Sequence, residues 1–72
     1  MSYEEICEAI RRERKCKELT LKQLADLVHC SEQAISQYER GVRPLSTKML
    51  CKIAEALDAS VFMVTNWKEA HP

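Results

Sequence analysis

Residues 20–41, TLKQLADLVHCSEQAISQYERG, read as two short helices joined by a turn of about three residues. Leu21, Leu24, Ala25 and Val28 fall at i, i+3, i+4 and i+7, which gathers four apolar side chains on one helical face. Thr20 precedes them as an N-cap, and Gln23 three residues on completes a capping box. The apolar pattern breaks at His29-Cys30-Ser31 and resumes with Ala34, Ile35 and Tyr38. Ser31 is therefore the expected cap of a second helix, and Gly41 its stop.

Two helices at this spacing make a helix-turn-helix. The stretch resembles the DNA-binding domains of the Cro/C1 (XRE) family, small bacterial and phage repressors, with Thr20, Leu24, Ala25, Ser31, Ile35, Ser36, Glu39 and Gly41 in the family's register. The likeness continues from Ile10 and Arg14 upstream to LCKIAEAL (50–57) and Ser60 downstream, so it covers roughly residues 6 to 66. It implies an all-α fold, a five-helix bundle of the phage-repressor (lambda repressor-like) type, in a single domain over residues 1–72.

Composition agrees with one small domain. Seventy-two residues must bury most of their apolar side chains in a single core to be stable without staples. With 46% apolar and 31% charged residues the chain reads as soluble and globular, and no stretch approaches the roughly 18 to 20 apolar residues of a membrane span. No leader or low-complexity segment is recognisable, which points to the cytoplasm.

A net charge of zero argues against a nucleic-acid binder until the charges are placed along the chain. Residues 11 to 22 carry Arg11, Arg12, Arg14, Lys15, Lys17 and Lys22 against Glu13 and Glu18. Residues 40 to 52 carry Arg40, Arg43, Lys48 and Lys52 unopposed, so the two stretches together hold +8 and the rest of the chain −8. Phosphate binding responds to such local density rather than to the sum, although two solvated helical faces would give the same segregation.

The cysteines, at 7, 16, 30 and 51, include no C-x-x-C pair, so their spacing does not suggest zinc. Their helical context suggests small, reduced core residues. Cys16 is the exception: flanked by Lys15 and Lys17, it is the candidate exposed and reactive thiol, and a thiol-responsive regulator would act through it.

Ser2 and Glu5 form another capping box, opening a helix to about Lys17 with Ile6, Ala9 and Ile10 inward. Arg14 lies one turn past Ile10 on the same side. The family places an arginine there that pairs with the glutamate near the end of the second helix of the motif, here Glu39; the alternative is an exposed Arg14 with no fixed contact. Four departures from the family stand out. Glu13 replaces a leucine, and Glu18 replaces the glycine that ends the first helix, so that helix is expected to end less sharply. Leu21 replaces a phosphate-contacting glutamine, and His29 replaces the turn glycine, where histidine tolerates a positive φ better than most residues.

In the expected recognition helix, Glu32 to Arg40, Ile35, Tyr38 and Glu39 point to the core, while Glu32, Gln33, Ser36, Gln37 and Arg40 point outward. Gln33 and Gln37, one turn apart, are the leading base readers, since glutamine can pair two-fold with adenine N6 and N7. Ser36 could serve either base type. Glu32 either accepts from cytosine N4 or serves only the helix N-terminus. Arg40, Arg43 and Lys48 are candidate phosphate contacts, because in relatives the loop after the recognition helix follows the sugar-phosphate backbone; Lys22 is a further candidate, beside the backbone amides of its helix, where the glutamine is missing. Pro44 bars continuation of that helix, and Ser46 caps a fourth, with Leu50, Ile53, Ala54 and Leu57 as its stripe.

Ser60 is expected to cap a last helix, about 60–67. Val61-Phe62-Met63-Val64 cannot all turn inward on a short helix, so Phe62, Met63 and Trp67 are expected at a homodimer interface; the alternative is that Trp67 folds back on the first helix and closes the core of a monomer. The resemblance implies a transcriptional regulator, most simply a repressor, that binds double-stranded DNA at a near-palindromic operator as a homodimer. No catalytic constellation, cofactor motif or small-molecule site competes with that reading. The alternative is a protein-interaction module of antitoxin or anti-repressor type on the same fold, supported by the zero net charge, Glu32 and the missing glutamine at position 21.

Overall fold

Residues 2–57 are described in the computed structural model. They form four helices: α1 (Tyr3–Cys16), α2 (Leu21–Val28), α3 (Glu32–Glu39) and α4 (Thr47–Ala56), with no strand among the described residues. The fold is all-α. The expected fifth helix, its cap Ser60, and Phe62, Met63 and Trp67 lie outside the described residues.

Every helix opens on a side-chain cap. The Ser2 hydroxyl accepts from the Glu5 amide (3.2 Å) and Glu5 Oε1 from the Ser2 amide (3.4 Å). At α2, Thr20 Oγ1 accepts from the Gln23 amide (3.0 Å), while Gln23 Oε1 accepts from the Thr20 amide (2.8 Å). Ser31 and Ser46 cap α3 and α4 through the amides of Ala34 (3.0 Å) and Met49 (3.1 Å). Each such cap stabilises its helix by about 1 kcal/mol relative to alanine.

The first three helices also close alike, on a residue in the left-handed region: Glu18 (φ 57°), His29 (φ 58°) and Gly41 (φ 72°). After α1, the Leu19 amide donates to the Arg14 carbonyl (3.1 Å) and the Glu18 amide to Lys15 (3.0 Å). After α2 the same pair runs from Cys30 to Ala25 (3.0 Å) and from His29 to Asp26 (3.4 Å); after α3, from Val42 to Gln37 (3.1 Å) and from Gly41 to Tyr38 (3.0 Å). These are Schellman motifs, which satisfy carbonyls the helix leaves open. The expectation that α1 ends loosely at Glu18 is thereby corrected, because the motif needs the conformation rather than the glycine. A non-glycine residue in it costs about 1–2 kcal/mol. At Gly41 the conformation rather than crowding selects glycine, since an added Cβ would come no closer than 3.9 Å to Cys7 Sγ.

One core joins the four helices. Ile6 and Ile10 of α1, Leu24 of α2, Ile35 of α3, and Leu50, Ile53 and Leu57 of α4 and its cap are fully buried, with Val28, Tyr38 and Leu45 around them. Burying each large aliphatic side chain contributes roughly 1.5–3 kcal/mol. The α2 stripe is three residues wide rather than four: Leu24, Ala25 and Val28 are buried, whereas Leu21, in the first turn, is half-buried at the core's edge. The cysteines depart further from expectation. Cys7 is buried and Cys30 half-buried, but Cys51 is exposed along with Cys16, and all four are free. Cys51 follows Leu50 directly, and one step of about 100° carries it off the stripe that Leu50, Ile53 and Ala54 present inward.

Candidate nucleic-acid interface

The position of α3 is fixed from behind. Arg14 and Glu39 are both nearly buried, and Arg14 Nε donates to Glu39 Oε2 (2.7 Å) while Nη2 donates to Oε1 (3.1 Å). A third bond runs from Arg14 Nη1 to the Leu19 carbonyl (2.7 Å), so one guanidinium ties α1, the α1–α2 connection and the end of α3 together. Charges removed from water are tolerable only when paired and hydrogen-bonded in this way, and no buried side-chain polar atom among the described residues lacks a partner. The Arg14–Glu39 pair expected from the sequence is thus present.

Ala34, Ile35, Tyr38 and Glu39 of α3 are buried, and α2 and α1 pack against that side. On the opposite side Glu32, Gln33 and Arg40 are exposed, and Ser36 and Gln37 half-exposed. At 100° per residue the two sets are centred about 160° apart, so a row of carboxylate, amide, hydroxyl and guanidinium groups faces outward. The helix closes at Glu39, with Arg40 as its C-cap. Lys22, Arg43 and Lys48 are exposed as well; the Lys22 ammonium lies 3.8 Å from Asp26 Oδ2, a solvated pair one turn along α2.

Three contacts around Arg43 had no signal in the sequence. Its Nη1 donates to Gln37 Oε1 (3.2 Å), its guanidinium lies over the Tyr38 ring 5.5 Å from the centroid, and its carbonyl accepts from the Tyr3 hydroxyl (2.8 Å). Tyr3 is 40 residues away, beyond any local spacing rule. Burial, reinforced by the nearby Cys7, raises the Tyr3 phenol, and burial likewise raises the Cys7 thiol. Burial also raises Cys30, partly offset by the positive charges of Arg43 and Lys52.

Four capped helices, a three-residue turn between α2 and α3, and an outward polar face on α3 together define a helix-turn-helix domain, a class that reads duplex DNA. The chain belongs to the helix-turn-helix family of the Cro/C1 (XRE) type, whose family model, described as helix-turn-helix, matches residues 10–62. This is a family of DNA-binding regulators rather than of enzymes, and double-stranded DNA is its partner. Comparison with curated proteins and with solved structures gave no match. No helix among the described residues is long and apolar enough to cross a membrane.

Proposed function

We propose that this domain is a sequence-specific transcriptional repressor that sets α3 into the major groove of an operator. The observation that carries the reading is the outward face of Gln33, Ser36, Gln37 and Arg40, held from behind by the buried Arg14–Glu39 pair. In this reading Gln33 pairs with adenine, Ser36 and Glu32 adjust neighbouring contacts, and Lys22, Arg40 and Lys48 bind phosphates on either side. The first-turn backbone amides of α2 outside its capping box add donors where relatives use a glutamine and this chain has Leu21. A domain this small covers one half-site. Two copies joined through Phe62, Met63 and Trp67 would span half-sites about 34 Å apart, and occupancy of such an operator blocks polymerase.

Footprinting on randomised duplexes and on DNA flanking the gene tests this, combined with a salt titration. Protection of a near-palindromic site is expected, with log–log salt dependence steepening by about 0.9 per phosphate neutralised. Gln33→Ala should cost roughly 1–3 kcal/mol on that site and relax preference at one base pair, whereas Lys48→Ala should weaken all sequences alike. Weak binding with no salt dependence would instead favour a protein partner on the same face.

A further inference from the structure

We propose that Arg43, in the loop after α3, reads a guanine in the major groove together with Gln37; the inference rests on the DNA-binding reading above. Its basis is the difference between how Arg43 is held and what a phosphate contact needs. A phosphate accepts a positive charge from many directions, and a solvated side chain serves. A base edge needs a planar fork in a fixed orientation.

Arg43 is held at three points. The Tyr3 hydroxyl fixes its backbone carbonyl (2.8 Å), the ring of buried Tyr38 lies under the guanidinium (5.5 Å to the centroid), and Gln37 Oε1 accepts from Nη1 (3.2 Å). Gln37 belongs to the outward row of α3, so the guanidinium is brought to the edge of that row. Among the described residues one of its five N–H groups is used, by Gln37, and the Nε–Nη2 edge is left to make a two-fold bond.

Donor chemistry then selects the base. Two-fold pairing of Gln37 with adenine would compete with Arg43 for Oε1. With one of that oxygen's two lone pairs engaged, Gln37 keeps both amide N–H donors, and donors outnumber acceptors on the joint surface of Arg43 and Gln37. Guanine offers two acceptors on its major-groove edge, N7 and O6, while adenine and cytosine each present an amino donor and thymine one acceptor beside a methyl group. Gln37 is the positioning residue and Arg43 the reader.

The test is selection from randomised duplexes by the wild-type chain and by Arg43→Ala, Gln37→Met and Gln37→Glu. Circular dichroism verifies that each exposed-site variant is folded. Wild type should enrich a guanine at one position of each half-site. Arg43→Ala should lose that preference, worth roughly tenfold to a hundredfold in discrimination, and keep the others. Gln37→Met should weaken the same preference, and Gln37→Glu, which retains an acceptor for Arg43, should preserve it. Replacing that guanine by 7-deazaguanine should reduce wild-type affinity about tenfold and leave Arg43→Ala unchanged. Uniform weakening of every sequence by Arg43→Ala, with the guanine preference intact, would overturn the proposal and make Arg43 a phosphate contact. If wild type enriches no sequence at all, the operator reading fails and takes this inference with it, an outcome distinct from enrichment without the guanine.

Discussion

Truncating Glu39 to alanine leaves the Arg14 guanidinium, with a side chain 11% exposed, holding only its bond to the Leu19 carbonyl. Breaking one side of a buried pair costs about 3–5 kcal/mol, because the remaining charge keeps its desolvation penalty and loses its compensation. A 72-residue domain has a total stability of roughly 4–11 kcal/mol at about 0.05–0.15 kcal/mol per residue. Glu39→Ala should therefore lower Tm by more than about 10 °C, at ~4–8 °C per kcal/mol for a domain of this size. Arg14→Met should cost a similar amount, since it strands the carboxylate and the Leu19 carbonyl together. The double variant Arg14→Met with Glu39→Leu removes both charges and replaces them with apolar volume, so it should be more stable than the sum of the single losses by about 2 kcal/mol or more. Urea titrations of the four proteins, with midpoint and slope read separately, measure the cycle. Losses that add to within about 0.5 kcal/mol would refute the reasoning, because uncoupled side chains do not hold α1 to α3.

Glu18→Gly should stabilise the domain by about 0.5–1 kcal/mol, the left-handed cost it relieves less the backbone entropy glycine adds; His29→Gly should gain less, and thermal melts rank the two. Alkaline titration of stability gives a signed test. The Cys7 and Tyr3 protons are held more tightly in the folded chain than in the unfolded one, so their contribution is complete below the usual thiol and phenol ranges and lost as pH rises through the raised folded values. Urea midpoints should fall above about pH 9, and Cys7→Ala should flatten that fall. Phe62→Glu combined with Met63→Glu should shift sedimentation from dimer to monomer and reduce operator affinity while the helical signal persists; a wild type that is monomeric on and off DNA would sink the dimer assignment.

The fold was legible because its information is local. Caps three residues apart, apolar side chains at helical spacing and a single well-placed Gly41 fix four helix starts and one stop without reference to distant residues. The Arg14–Glu39 pair spans 25 residues and was reachable only through the family resemblance. Glu18 misled because a residue-type rule stood in for a conformational one: two hydrogen bonds and the packing of Leu19 hold a left-handed turn that glycine would adopt more cheaply. Cys51 misled because adjacency to a core leucine says nothing about facing, which turns by about 100° at every residue. In the sequence Arg43 reads as a phosphate contact in a loop, with no fixed partner in the chain. Its tether to Tyr3 depends on how α1 packs against α3, and those to Gln37 and Tyr38 on the path the loop takes after Gly41; no one-dimensional pattern encodes either.

The guanidinium that joins α1 to α3 also bears on the order in which the domain assembles and comes apart. Helices α2 and α3, joined by three residues, can dock as soon as they form, whereas Arg14 must wait for its partner 25 residues away. Until water has left both sides, the pair gains little over its solvated state, so its full strength is expected after the rate-limiting step of folding, which a φ-value near zero for Glu39→Ala would show. An interaction of that kind slows unfolding more than it speeds folding. Formed late, the pair would be a latch, lengthening the lifetime of the assembled α3 surface while leaving the speed of its formation to the apolar contacts between neighbouring helices.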